Sequence, residues 1–331
     1  MGSDTGDIAL RRYEPADERA VLALLQASLG WVPDEQYGAF FAWKHRDNPF
    51  GPSRAWVATE AGRIVGFRTF LSWKFTRDGT VAEAVRAVDT ATHPDVQGRG
   101  IFSRLTLHAL DELRTEGVQF VFNTPNGQSR PGYLKMGWQP VARLPVLARL
   151  RSPLSVIRLA RARVPADKWS QPTGAGERAP DVLADADAVS RLLAAVPAPP
   201  AGALATNRTP AFLAWRYGFE PLAYRVLLCG RSVDDGIGLF RLRRRGTAVE
   251  AAICDVLVPG GDRRLEARAV QDIVRRSGAD YGVRIGNPGT VRAGSFPAPG
   301  QGPTLVWRSV VDTQAPAADR WRLTLGDIEL F

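Results

Sequence analysis

The residue types and spacing best suited to chemistry lie in Thr92-His93-Pro94-Asp95-Val96-Gln97-Gly98-Arg99-Gly100-Ile101. An apolar, β-branched run over residues 85–92 leads into a proline, a short Gly/Arg loop and an apolar-periodic stretch. Such a loop at a helix start presents backbone N–H groups that have no intrahelical acceptor, and the helix dipole adds a positive field. Anions settle there. Gly98 and Gly100 let the backbone close on an anion, and Arg99 adds a cation. A polyphosphate-bearing cofactor is the occupant this chemistry suits. The spacing is neither Gly-x-x-x-x-Gly-Lys-Ser/Thr nor Gly-x-Gly-x-x-Gly, so it marks neither a P-loop nor a dinucleotide fingerprint. An ordinary Gly-rich turn is the alternative reading.

The elements that must position this loop follow from periodicity. Residues 101–116 read as a helix, with Ile101, Leu105, Leu107, Leu110 and Leu113 on one stripe and Gly117 at its C-terminal cap. Residues 118–122 read as a buried strand, followed by the turn Asn123-Thr124-Pro125-Asn126 and a short helix carrying Tyr133. Upstream, residues 7–12 read as a strand, 15–29 and 34–46 as helices, and 54–75 as a hairpin around Gly62.

Gln97-Gly98-Arg99-Gly100-Ile101 resembles the Gln/Arg-x-x-Gly-x-Gly/Ala signature of the GNAT acyltransferases. Tyr133-Leu134-Lys135-Met136-Gly137-Trp138 resembles the Tyr-x-Lys-x-Gly-Phe element that comes after it in that family. The last small position of the signature is Phe102 here, which alters how closely a cofactor approaches. The resemblance covers roughly residues 8 to 150. It implies an α/β fold of mixed, mostly antiparallel sheet with helices on both faces, in the order βααβββαβαβ. It also implies acetyl-CoA as acyl donor and direct attack of a primary amine on the thioester. By the same resemblance, backbone groups of Ala91 and Thr92 meet the pantetheine arm, and Gln97, Gly98, Arg99, Gly100, Ile101 and Phe102 meet the pyrophosphate. Asn126 contacts the pantetheine or its surroundings, or else only forms its turn. Tyr133 is the general acid for the departing thiolate, or else a half-buried aromatic.

An ammonium substrate must lose a proton before attack, and a carboxylate near the fourth strand could take it through water. Asp89 lies on that strand and is the candidate base, with Glu83 near its start. A charge there is costly to bury unpaired, so a structural partner such as Arg86 or Arg68 is the competing account. His93 is read as facing solvent. Among Phe40, Phe41, Trp43, Trp56, Phe67, Phe70 and Trp73, most are core and a few could line an acceptor pocket.

At 331 residues the chain has room for about two domains. The polar stretch Gln171-Pro172-Thr173-Gly174-Ala175-Gly176 reads as part of a linker, and the chain beyond it repeats the first half. Phe41-Ala42-Trp43-Lys44-His45-Arg46-Asp47-Asn48-Pro49 has its counterpart in Leu213-Ala214-Trp215-Arg216-Tyr217-Gly218-Phe219-Glu220-Pro221. The expected division is a catalytic unit over 1–150, an Arg-rich segment and linker over 151–180, and a degenerate copy over 181–331. In the second copy Pro259-Gly260-Gly261-Asp262 replaces the phosphate loop, and Asp262 reads as an N-cap, so one cofactor site is expected. Asn287-Pro288-Gly289 echoes the first copy's Asn126-Gly127 without a subsequent Tyr-x-Lys-x-Gly. The alternating run over residues 321–325 is expected as a closing strand.

Composition bounds the remainder. Charged residues make up 23% and hydrophobic residues 45%, an ordinary globular balance. No apolar run approaches the roughly 20 residues of a membrane span, and no secretory leader is visible, so a cytoplasmic location is expected. Two cysteines without CxxC spacing and three histidines argue against a structural disulfide or metal site. The net charge of +9 comes almost wholly from scattered arginines, and nucleic acid is not an expected partner. The densest cluster, over residues 143–163, could meet an anionic membrane; the simpler reading is a strand leading into a helix with a solvated basic face. Two other functions stay open: a non-catalytic CoA-binding module of the same fold, and a basic membrane-surface protein.

Overall fold

The computed structural model describes residues 7–29, 36–161, 164–286, 295–298, 302–311 and 313–329. Its first half runs β1 (Ala9–Arg12), α1 (Glu18–Leu29), α2 (Gln36–His45), β2 (Arg54–Glu60), β3 (Arg63–Arg77), β4 (Thr80–Thr92), α3 (Ile101–Thr115), β5 (Phe120–Asn123), α4 (Arg130–Lys135) and β6 (Gln139–Arg143). The apolar stripe of α3 buries Ile101, Leu105, Ala109, Leu110 and Leu113 against one face of the sheet. Gly117 comes after that helix with φ of 79°, a left-handed conformation that an L side chain resists. Antiparallel pairing joins β1, β2, β3 and β4 in that order, and β4 then pairs parallel with β5.

The chain continues through β7 (Val146–Leu150), α5 (Ser155–Arg161), β8 (Glu177–Arg178), α6 (Ala179–Leu183), α7 (Ala186–Ala195), β9 (Leu204–Thr206), α8 (Pro210–Gly218), β10 (Arg225–Leu228), β11 (Ile237–Arg245) and β12 (Ala248–Leu257). It ends with α9 (Arg263–Arg276), β13 (Tyr281–Ile285), β14 (Phe296–Pro297), β15 (Thr304–Ser309), β16 (Trp321–Arg322) and α10 (Leu325–Ile328). The second sheet repeats the plan of the first: β10, β11 and β12 are antiparallel, and β12 is parallel to β13.

The two sheets exchange strands. β15 inserts between β5 and β6 of the first sheet, antiparallel to both. Reciprocally, β7 inserts between β13 and β14 of the second. Residues 146–150, placed by sequence at the end of the first unit, therefore lie in the second sheet. The repeated motifs meet at this pseudo-two-fold. Trp43 Nε1 donates to Trp215 O, and Trp215 Nε1 to Trp43 O, each at 2.7 Å, with the rings stacked 5.3 Å apart. Trp73, Phe75, Phe120 and Phe122 of the first sheet share one buried core with Tyr217, Tyr281 and Val283 of the second half.

Two local expectations differ from the structure. The stretch read as a linker is tied down: Asp167 N donates to Arg244 O, Gln171 N to Leu242 O, and β8 pairs with β10. The alternating run near residue 321 yields only the two-residue β16, because Thr324 and Asp327 form a reciprocal cap that starts α10. The late strand that joins the first sheet is instead β15, interior between β5 and β6, and β6 forms the edge. Arg143 and Arg158 of the basic segment are also engaged, on Gly302 O and Asp280. Asn287-Pro288-Gly289, and residue 34 at the expected start of α2, lie outside the described residues. Among those residues no helix is long and apolar enough to cross a membrane.

Candidate active site

Pairing between β4 and β5 stops at Arg86 and Phe122, and beyond it the strands part. A cavity of about 450 Å³ opens between residues 87–90 with Thr92 on one side and residues 123–126 on the other, with Phe102, Gly132 and Tyr133 on its wall. A bulge in β4 shapes its rim: Thr69 faces Val88 and Phe67 faces Ala91, so Asp89 and Thr90 together oppose Arg68. Asp89 takes a φ of 37°, which costs a non-glycine residue energy and needs an anchor.

That anchor is an ion pair. Asp89 Oδ2 lies 2.7 Å from Lys44 Nζ and 2.9 Å from His45 Nε2, and Ser53 Oγ stands 2.9 Å from the other ring nitrogen. Lys44 and His45 are buried at the end of α2. Burial pulls the Asp89 carboxyl upward, but the Lys44 charge and the His45 contact outweigh it and hold it well below the usual carboxylate range. Burial likewise lowers the His45 imidazole below 6.5, so the ring is neutral. The partners considered from sequence are otherwise engaged. Arg86 donates to Asp327 O and Thr124 Oγ1, and Arg68 to Thr90 Oγ1 and Tyr133 Oη. Glu83 pairs with Lys74 at 2.8 Å. A buried lysine in the last turn of a helix leaves no periodic signal, so its link to Asp89 escaped the sequence reading.

Tyr133 sits on α4, buried, with its hydroxyl accepting from Arg68 Nη1 at 2.7 Å. Arg68 is wholly buried, and no described carboxylate pairs with it. Its guanidinium lies 4.3 Å from the Phe70 ring centre and 5.3 Å from that of Tyr133. Its Nε and Nη2 have no partner among the described residues. Phe102 packs edge-on against Tyr133 at 5.4 Å, so the residue that departs from the signature forms part of the wall beside the phenol.

The loop expected to hold phosphate has the shape for it. Gly98 and Gly100 have φ of 79° and 73°, and a Cβ on either would meet open space. Gly100 caps α3, and the first N–H bonded within the helix is that of Arg104, to Gly100 O. The N–H groups of Ile101, Phe102 and Ser103 thus have no intrahelical acceptor, which fits a pyrophosphate. Other expected contacts are partly spoken for. Arg99 pairs with Glu60 at 2.8 Å. The Thr92 carbonyl accepts from Ser28 Oγ and Gln97 Nε2. Ala91 is buried in the cluster containing Val21 and Phe67, away from the cavity wall. The Asn126 side-chain carbonyl accepts from Gln128 N, Ser129 N and Ser129 Oγ, so it forms the turn before α4 while still lining the cavity. His93 is about a quarter exposed and lies against Asp95. Asn123, read as a turn residue, ends β5 and lines the cavity, and its buried Oδ1 has no partner among the described residues.

A strand, a glycine loop capping a helix, a parted parallel pair and a tyrosine on the next helix thus follow one another along the chain. The family model described as "Acetyltransferase (GNAT) domain" matches residues 9–141. Residues 9–141 form a GNAT domain. A mycothiol acetyltransferase from Saccharomonospora viridis is 29% identical over 142 residues, 40% of this chain and 46% of that protein. The chain thus spans about half the length of that curated relative. Two solved structures share the fold along nearly the whole chain. An Enterococcus faecalis protein described as a probable N-acyltransferase superposes with a TM-score of 0.65 at 10% identity, covering 92% of this chain and 73% of that one. A GCN5-related N-acetyltransferase from Kribbella flavida gives 0.60 at 13%, covering 93% and 72%.

The second half repeats the sheet plan, but its counterpart of the glycine loop differs among the described residues. Asp262 Oδ1 accepts from Arg264 N and Leu265 N and so consumes the α9 terminus. A Cβ on Gly261 would come within 2.9 Å of Pro197, so the loop is crowded at that position, while Gly260 beside it faces open space.

Proposed function

We propose that the chain transfers an acetyl group from acetyl-CoA to a primary amine of a small molecule, of the size of an amino sugar, an antibiotic or an amino acid. When bound, acetyl-CoA supplies the thioester carbonyl that the amine attacks and the thiolate that leaves. The N–H groups at the start of α3 receive its pyrophosphate, and the gap between β4 and β5 receives its arm. Tyr133 holds the proton for the departing sulfur. Arg68 takes one lone pair of the phenol oxygen and leaves the hydroxyl hydrogen for an acceptor in the cavity. Asp89, a weak base in its pairing with Lys44 and His45, anchors the bulge that brings Thr90 against Arg68. The free thiols Cys229 and Cys254 accord with a reducing, cytoplasmic setting.

The observation that carries this reading is the Tyr133 hydroxyl on the cavity wall, fixed by a buried cation. The test is thiol release from acetyl-CoA across a panel of amino sugars, aminoglycosides, polyamines and amino acids. Acceptor-dependent release supports the reading. CoA binding without turnover on any amine would leave a sensor module.

A further inference from the structure

Thr124, on the wall of the cofactor cavity, also lines a second cavity of about 230 Å³. The rest of that wall is built mainly from the second half of the chain. Arg243 and Arg245 come from β11, Glu250 from β12, Tyr281 from β13, and Glu329 lies just past α10. Neither sheet alone makes this chamber.

Its charges do not balance. Glu250 accepts from Arg243 Nε at 2.6 Å and Arg245 Nε at 3.0 Å. Glu329 accepts from Arg241 Nε at 2.5 Å, Arg243 Nη1 at 3.3 Å and Tyr224 Oη at 2.7 Å. Arg216 Nη2 also lies 3.5 Å from Glu329, so four guanidiniums share two carboxylates and two positive charges are left over within this group. Arg243 and Arg245 keep 13% and 21% side-chain exposure, whereas the carboxylates keep 2–3%. What a ligand meets is guanidinium. Tyr281 Oη is buried beside Glu250. Arg245 Nη1 also donates to Val164 O at 3.0 Å, and a partly buried cation in excess favours an anion that takes the guanidinium N–H hydrogens these acceptors leave open. An ammonium finds both carboxylates already engaged.

We propose that this chamber holds the acyl acceptor, and that the acceptor is a small amine bearing its own carboxylate, of amino-acid type. Its carboxylate lies toward Arg243 and Arg245, and its amine toward Thr124 and the thioester beyond. The proposal rests on the acyl-transfer reading and deepens it. Polycationic acceptors are disfavoured by the same charges.

The experiment compares amino acids with their primary amides, which keep size and amine but lose the negative charge. Thiol release and, separately, calorimetric binding to the CoA-loaded full-length chain are measured. The acid should be preferred over its amide by about 10- to 100-fold in kcat/KM, the scale of a charge-assisted hydrogen bond. In Arg245→Gln that preference should collapse through KM for the acid, with Arg245→Lys recovering part of it and CoA affinity unmoved. Equal use of acid and amide by the native chain overturns the proposal without touching acyl transfer. So does a preference that survives Arg245→Gln, or absence of both binding and turnover with every amino acid. Selective binding of the acid without turnover would support the chamber and contradict the catalytic reading instead.

Discussion

Arg68 Nη1 donates to Tyr133 Oη at 2.7 Å from a position wholly inside the protein, with no described carboxylate to neutralise it. A buried cation without a counter-ion is costly, and aromatic faces offset only part of that cost. Its placement is explained if negative charge develops nearby, as it does when a thiolate leaves and the phenol gives up its proton.

Arg68→Met should lower kcat by about 10- to 100-fold with little change in the KM for acetyl-CoA, within the range of general acid catalysis. Because Arg68 acts through the phenol, Arg68→Met combined with Tyr133→Phe should be scarcely slower than Tyr133→Phe alone. Steady-state rates of the four proteins make the cycle. Multiplicative losses would mean that Arg68 does not work through Tyr133.

Cofactor binding should occur once per chain. Gly100→Glu places a side chain at a left-handed φ and a carboxylate where phosphate would sit. CoA affinity should fall by at least about 10-fold, or roughly 1.4 kcal/mol. Calorimetry with two sites per chain, or with affinity retained in the variant, would count against the loop.

How much of this could be read in the sequence varies with the range of the interaction. The loop, α3, the Tyr133 helix and the repeated Trp43 and Trp215 motifs are local patterns of spacing, and they stand where spacing puts them. The strand exchange is not local. β15 pairs with β5 across more than half the chain, and nothing in Thr304-Leu305-Val306-Trp307-Arg308-Ser309 says which sheet it joins. Arg99 and Glu60 meet only because β2 ends beside the loop. Residues 321–325 alternate like a strand, yet the Thr324–Asp327 cap overrides the alternation. Lys44 shows the same limit, since a lysine in a helix ordinarily signals solvent.

Stability should fall on acidification. The His45 ring is neutral when folded, with its pKa depressed by burial, and titrates near 6.5 when unfolded. The unfolded chain therefore binds the extra proton first, so this contribution is whole above about pH 6.5 and is lost as pH drops toward the lower folded value. Asp89, also depressed, adds a loss of the same sign below about pH 4. Melting temperatures should decline between about pH 7 and pH 5, and His45→Gln should flatten that slope. An equal slope in the variant would remove His45 from the account.

Truncation after residue 165 should give aggregated or inactive protein. It deletes β15 from between β5 and β6 and strips the shared core from Trp73, Phe75 and Phe122. Open strand edges invite self-association. A monomeric fragment with full thiol-release activity would contradict the strand-exchange account of stability.

The most direct test of the central claim is the kinetics of Tyr133→Phe, measured as thiol release with saturating acceptor beside calorimetry with CoA. The phenol lies on the cavity wall and loses only its hydroxyl in the variant. The account predicts kcat reduced by about 10- to 1,000-fold and CoA affinity held within about twofold. An unchanged kcat with a raised KM for acetyl-CoA would contradict it and leave Tyr133 a packing residue.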